Sequence, residues 1–342
     1  MPNQSLIRIA VIGVGSFGKN HARVYHELQQ QGEGVELFAV VDSDATQAQA
    51  LARQFGCKAF SNLDDLRGHV DAASVAVPTV HHLDVASRLM TAGIDVLVEK
   101  PIASTVDEAD ELIRVAKAHQ RIAQAGHLER FNPAVRATIP LINRPMFFEV
   151  HRLSIFTPRS LDVDVVLDLM IHDIDVVLTF VNSPLTDVRA VGLPVVTSKV
   201  DIANVRMEFE SGCVANLTAS RVSTERVRKL RFFQPHEYIS IDYGRQDVLQ
   251  ITVTQQEKLS PEHLMAAAGD ASAFPIPGVT LNKPKVQEEE PLHAELRSFV
   301  DAVRNRTTPL VPLEDGRRAL AAAMRILAAI EKHSRHAQLQ SL

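Results

Sequence analysis

An apolar run, Ile7-Arg8-Ile9-Ala10-Val11-Ile12, passes directly into Gly13-Val14-Gly15-Ser16-Phe17-Gly18, and a helical stretch follows to about Gln31. Six mostly apolar residues ending in glycine read as a buried strand of a parallel sheet. A strand that runs straight into a G-x-G-x-x-G turn opening a helix leaves few architectures besides a βαβ unit. A second apolar strand, Glu36 to Val41, ends at Asp42. In such a unit Gly13 permits the tight turn, Gly15 lets the backbone approach a pyrophosphate, and Gly18 lets the helix pack close to the sheet. The helix N-terminus offers N–H groups and a positive dipole end to phosphates. Asp42 would accept hydrogen bonds from ribose hydroxyls and repel a 2′-phosphate, and Ser43 brings no compensating cation, so NAD is expected over NADP. The same turn would also serve a flavin or a methyl donor, and these residues alone leave that alternative open.

The alternation continues. Strands are expected at 59–60, 72–77, 95–98 and 122–125, and helices at 45–55, 82–92 and 106–119. That rhythm predicts a parallel, doubly wound sheet over residues 1–127. After it, strands are expected in close succession at 146–153, 187–192, 204–210, 213–220, 229–234, 237–242 and 248–254, with turn signals such as Glu210-Ser211-Gly212 between them. Close-set strands with short turns form antiparallel sheet. One helix, Val163 to Phe180, interrupts early, and two more follow Glu288 and Leu313. Residues 260–285 read as a surface loop or flap. The expected fold is thus an α/β Rossmann domain (1–127) plus an α+β domain (128–342) with a large, mainly antiparallel open sheet. The last helices are free to pack back on the first domain.

Composition narrows the class. The 342 residues carry 36 Lys+Arg against 41 Asp+Glu, a formal charge of −5, with 46% hydrophobic and 23% charged residues. These values exclude a disordered, collagen-like or disulfide-built chain. Mild acidity without a basic run speaks against nucleic-acid binding. No stretch approaches the roughly 20 apolar residues of a membrane span. The start, Met1-Pro2-Asn3-Gln4-Ser5-Leu6, lacks the features of a signal peptide, so a cytoplasmic protein is expected. Cys57 and Cys213 stand far apart and read as free thiols, and no metal site is expected.

Two further clusters carry chemistry. Glu99-Lys100-Pro101 follows a buried strand at the carboxyl edge of the sheet, where ligands of open α/β folds lie. Proline after Lys100 constrains the backbone there. A Glu-Lys pair elsewhere would be a solvated surface pair. Asp168 and His172 lie four apart on the early helix of the second domain, within Asp168-Leu169-Met170-Ile171-His172-Asp173-Ile174-Asp175, and share a helix face. Histidine suits general-base work near neutral pH, with a carboxylate to orient it. The alternative is a core histidine capped by aspartate.

Taken together, these clusters resemble the Gfo/Idh/MocA family of NAD(P)-dependent oxidoreductases over essentially the whole chain. The resemblance rests on the turn at 13–18, Pro78 with His82, Glu99-Lys100-Pro101 and Asp168-x-x-x-His172. It implies Lys100, Asp168 and His172 as the catalytic set. It also adds Ser16, Phe17, Pro78, His82, Glu99 and Lys100 to Gly13, Gly15, Gly18 and Asp42 as residues toward NAD. A homodimer or homotetramer through the exposed sheet face is implied too. Three longer phrases are similar to those of the UDP-N-acetylglucosamine 3-dehydrogenases of this family: Gly126-His127-Leu128-Glu129-Arg130-Phe131-Asn132-Pro133, Val166 to Asp175, and Leu217-Thr218-Ala219-Ser220-Arg221-Val222-Ser223. Such enzymes convert the sugar C3 hydroxyl to a ketone for an aminotransferase, on the way to lipid A with 2,3-diamino sugars. The likeness points to Glu129, Arg130, Phe131, Asn132 and Arg221 as substrate contacts. Another sugar or an inositol as substrate, and a non-catalytic NAD-binding sensor, are the competing readings.

Overall fold

The computed structural model describes residues 6–157, 163–253 and 278–338. The chain divides into two compact units: Met1–Phe131 with Glu289–Ala321, and Asn132–Glu288 with Ala322–Leu342.

In the first unit six strands, β1 (Ile7–Ile12), β2 (Val35–Val41), β3 (Lys58–Phe60), β4 (Ala72–Val75), β5 (Asp95–Glu99) and β6 (Ala123–Gly126), form one parallel sheet. Their order is β3-β2-β1-β4-β5-β6, so the winding reverses between β1 and β4. A crevice opens at the carboxyl ends of strands flanking such a switch point. The connecting helices are α1 (Ser16–Gln30), α2 (Ala45–Phe55), α3 (His82–Thr91) and α4 (Val106–Ala118). Their ends are fixed locally. Asp44 caps α2 by accepting from Thr46 and Gln47 N–H at 2.9 and 3.2 Å, and Gly56 closes it at φ 69°. Thr105 caps α4 through Glu108 N–H at 3.1 Å, while the Glu108 carboxylate reaches back to Ser104 N–H at 2.8 Å. Leu296, Phe299, Val300 and Val303, from the late helix Pro291–Asn305, complete the core around Tyr25, Leu28 and Leu51.

The second unit holds an eight-stranded sheet. It runs β14-β13-β12-β11-β7-β10-β9-β8, with β7 Phe147–Ile155, β8 Leu185–Leu193, β9 Ile202–Phe209, β10 Val214–Ser223, β11 Val227–Gln234, β12 Glu237–Asp242, β13 Asp247–Val253 and β14 Val279–Asn282. All its pairs are antiparallel except β7 with β10. Alternation sorts the faces: Phe148, Val150 and Arg152 of β7 are buried, whereas His151 is exposed. Phe180, on the helix Ile171–Val181, meets Phe148 and Phe232 on the buried face, at ring separations of 6.5 and 5.9 Å.

Three features differ from the sequence expectation. The helix expected over Val163–Phe180 opens with a π-helical turn, Val166–Met170, before continuing as the α-helix Ile171–Val181 (α6). A short helix, Pro133–Thr138 (α5), stands where none was expected, capped by Asn132. Of the expected loop at 260–285, residues 260–277 lie outside the described residues, and Val279–Asn282 is an edge strand rather than loop. Four residues on a sheet edge are too few to announce a period of two.

Candidate active site

The glycine turn is set by backbone crowding. Gly13 has φ +85°, and a Cβ there would lie 2.7 Å from the Ala76 carbonyl oxygen. A Cβ on Gly18 would lie 1.7 Å from the Gly13 carbonyl oxygen, so only glycine lets α1 seat this closely. Around Gly15, by contrast, nothing lies within 4 Å of the Cβ position: the space is open toward the cavity it lines. Gly15 occupies the N-cap of α1 with no side-chain cap, and the first turn has no acidic residue. The N-terminal amides of α1 are thus left for an anionic group. Asp42 braces the turn, accepting from Val14 N–H at 2.7 Å and, on its other oxygen, from Asp44 N–H at 2.9 Å.

These groups enclose a cavity of about 670 Å³, in the range of small-molecule and cofactor pockets. Of the sequence-predicted residues, Gly13, Gly15, Ser16, Phe17, Asp42 and Pro78 line it. Its lining contains no Lys or Arg. Glycine where backbone must come close, helix amides without a cap and a carboxylate with no cation beside it fit NAD, with the glycine turn toward the pyrophosphate and Asp42 toward the ribose.

Glu99 and Lys100 lie at the end of β5, with the Lys100–Pro101 peptide cis. The Glu99 carboxylate accepts from His21 Nε2 at 2.9 Å and from the Lys100 backbone N–H at 3.2 Å. Burial pushes this carboxyl upward, but the hydrogen bond and charge of His21, together with Lys100, outweigh it and hold the group below its usual range. Gly126 on β6 makes the room: a Cβ there would lie 3.0 Å from Glu99 Cα and 3.2 Å from Oε1. Lys100 Nζ lies 6.0 Å from the centre of the Phe17 ring.

His82 is 1% exposed and does not line the cavity. Its Nδ1 faces the Pro101 carbonyl at 3.0 Å and its Nε2 the Val77 carbonyl at 2.9 Å, tying the Pro78 and Pro101 segments together. Burial lowers its pKa. The neighbouring His81 lines the cavity instead. Sequence reasoning missed His21, Gly126 and His81; for His21 the signal was a histidine on the inward face of the helix that Gly18 seats.

In the second unit Asp168 lies in the π-helical turn and His172 in the first turn of α6, both half-buried. Asp168 N–H donates to the Asp164 carbonyl at 3.0 Å, and Asp164 accepts from Val200 N–H at 2.9 Å, which anchors the start of the turn. π-helical turns in this setting mark functional positions with some regularity. Next to His172, Asp173 points the other way, into a buried two-bond pair with Arg152.

The expected substrate contacts are engaged within their own units. Arg130, 8% exposed, pairs with Asp315 at 3.2 Å; Glu129 and Phe131 flank it, buried, in the 3₁₀ turn Leu128–Phe131. Asn132 caps α5 through Ala134 N–H at 3.1 Å and donates to the Tyr243 carbonyl at 3.1 Å. Arg221 donates to the Val163 carbonyl and lies 3.7 Å from Asp201. Burial raises the Asp201 carboxyl, but the N–H groups of Val195, Thr197 and Val196 and the Thr197 hydroxyl overcome this and lower it to about 2. Among the described residues no cluster of three or more His, Cys, Asp or Glu could hold a metal, and no helix is long and apolar enough to cross a membrane.

Comparison with known proteins agrees with the geometry. Residues 7–127 match the model of the oxidoreductase family with an NAD-binding Rossmann fold, and residues 143–234 match that of the GFO/IDH/MocA C-terminal domain. The chain is 36% identical over 326 residues to a UDP-N-acetylglucosamine 3-dehydrogenase of Acidithiobacillus ferrooxidans, covering 95% of this chain and 97% of that one. A solved structure of the A. ferrooxidans enzyme superposes with a TM-score of 0.85, at 35% identity over 95% of this chain and 98% of that one. A scyllo-inositol 2-dehydrogenase (NAD(+)) of Bacillus subtilis is 25% identical, covering 89% and 88%. Levoglucosan dehydrogenase with NADH and levoglucosan shares the fold, with a TM-score of 0.81 at 16% identity over 96% of this chain and 98% of that one. The chain is an NAD-binding oxidoreductase and belongs to the Gfo/Idh/MocA family.

Proposed function

We propose that the chain oxidises the C3 hydroxyl of UDP-N-acetylglucosamine to the 3-ketone. The observation that carries this reading is the 36% identity, over almost the full length of both chains, to a relative with that activity. NAD, when bound, accepts the hydride from the sugar carbon. The glycine turn and the amides of α1 hold its pyrophosphate and Asp42 its ribose. His172 removes the hydroxyl proton, a step in which a positioned general base contributes about 10²–10⁴-fold. Lys100 stabilises the developing alkoxide and hydrogen-bonds the hydroxyl, and Asp168 orients His172 or contacts the sugar. Glu129, Arg130, Phe131, Asn132 and Arg221 shape the substrate side.

An aminotransferase that consumes the ketone, as in the synthesis of lipid A with diamino sugars, is the expected downstream partner. The aromatic cluster of Phe147, Phe233 and Tyr238, half-buried except for the exposed Phe233 and with ring separations of 5.8 and 5.2 Å, supports a homo-oligomer built on that sheet face. The test is incubation with NAD and UDP-N-acetylglucosamine, following NADH absorbance and the product. A sugar lighter by two hydrogens, with its ketone at C3 by NMR, supports the reading. NADH formed only with inositols or free sugars overturns the substrate and keeps the chemistry, an outcome the scyllo-inositol relative makes worth including. NAD binding without turnover of any sugar would leave a sensor.

A further inference from the structure

We propose that His21 is a positioning residue for Lys100, acting through Glu99 to hold the peptide that carries the lysine side chain. This rests on the assignment of Lys100 to the reacting oxygen. His21 lies on α1, is 1% exposed and donates from Nε2 to Glu99 Oε1 at 2.9 Å. Its Nδ1 has no hydrogen-bond partner among the described residues, so the ring's hydrogen bonding is directed to Glu99. The second Glu99 oxygen accepts the Lys100 backbone N–H at 3.2 Å.

A carboxylate at the strand end therefore clamps the peptide immediately after it, and a histidine on another element fixes that carboxylate. Glycine at 126 completes the arrangement, since a Cβ would come within 3.2 Å of the same Glu99 oxygen. A His–Glu pair with the histidine buried and the carboxylate largely so is a poor choice for stability alone, because an apolar pair of similar volume avoids the desolvation of both groups. Its use here follows from what it adjoins. α1 also carries, at its N-terminus, the amides that face the cofactor cavity. Its seat on the sheet is set by the close approach of Gly18 to the Gly13 carbonyl, so the clamp is anchored to a closely seated helix.

The test compares His21→Leu, His21→Gln and Lys100→Ala, using the sugar that the wild type oxidises. Gln can present an amide N–H near the position of Nε2, and Leu cannot. His21→Leu is expected to lower kcat by about 10–100-fold, as a misplaced catalytic group does. Its NADH affinity, by fluorescence titration, should stay within about threefold. In cofactor-free protein labelled with 15N-lysine, the Lys100 amide resonance, assigned by its loss in Lys100→Ala, should move upfield. His21→Gln should restore both kcat and the resonance. Should His21→Leu not fold, Glu99→Gln is the second route, with the same two changes expected. Unchanged kcat in His21→Leu, or a loss confined to thermal stability or NADH affinity with the resonance unmoved, overturns the proposal while an inactive Lys100→Ala keeps the role of the lysine. An active Lys100→Ala overturns that role, and the proposal with it.

Discussion

Arg152 and Asp173 meet through two hydrogen bonds, 2.6 and 2.8 Å long, with both side chains almost wholly out of solvent. The Arg152 guanidinium also lies 5.1 Å from the centre of the Tyr243 ring. The pair pins the helix that carries His172 to a central strand of the sheet. Removing one partner leaves an uncompensated buried charge, so Arg152→Leu and Asp173→Leu should each lower stability by about 3–5 kcal/mol. The double replacement should lose less than the sum of the two. Urea denaturation of the three variants measures this, and additivity would show that the two charges do not act as a pair.

The glycines of the turn should separate folding from cofactor binding. Gly18→Ala pushes a methyl group onto the Gly13 carbonyl and should lower stability by about 1–3 kcal/mol or more, weakening NADH binding as the turn deforms. Gly15→Ala meets nothing in the protein and should melt like the wild type, yet bind NADH more weakly because the methyl group occupies cofactor space. Thermal melts and NADH fluorescence titrations on both variants check the contrast.

Asp42 should set cofactor choice. Asp42→Ser removes the carboxylate that would face the ribose, and loss of a charged hydrogen bond is worth about 1.5–3 kcal/mol. The KM for NAD should therefore rise roughly 10–100-fold, while NADP, no longer repelled, should lose less. Steady-state kinetics with both cofactors gives the ratio. An unchanged preference for NAD would place the ribose elsewhere.

Acid should destabilise the protein in two stages. Burial lowers the pKa of His82, so below about pH 6.5 the unfolded chain binds the proton more readily and stability falls with falling pH. Asp201 and Glu99 are lowered carboxylates: their contributions are complete above their ordinary values of 3.8 and 4.5 and are lost as pH falls through the lower folded values, about 2 for Asp201. Urea midpoints measured from pH 8 to 3 should decline below about 6.5 and again below about 4.5. Asp201→Asn should be less stable at neutral pH and should flatten the lower stage.

Lys100→Ala and His172→Ala should each lower kcat by about 10²–10⁴-fold and shift melting temperature little. Turnover normalised to the folded fraction measures both. A nearly active His172→Ala would remove it as the base.

What was legible in the sequence follows the range of the interactions. Gly13, Gly18 and Asp42 announce themselves because their constraints lie within one strand–turn–helix–strand unit. Strands with alternating faces, such as Ile202–Phe209, show their period. His21 was not legible as a partner of Glu99, because the two stand 78 positions apart. The ion pair of Arg130 with Asp315 was not legible either, since it spans 185 positions. The π-helical turn at Val166–Met170 is a single turn running straight into the α-helix, too short for the apolar pattern to mark, so the pattern reads as one helix.

The parallel pair β7–β10 bears on how such a chain can diversify. Two strands can run parallel only if the chain crosses back between them, and here α6 lies within that return. The stretch bearing Asp168 and His172 is thus part of the connection that the parallel pairing requires, not an appendage. Descendants of this chain can exchange the side chains along it and so change substrate, but they cannot discard the segment and keep the sheet.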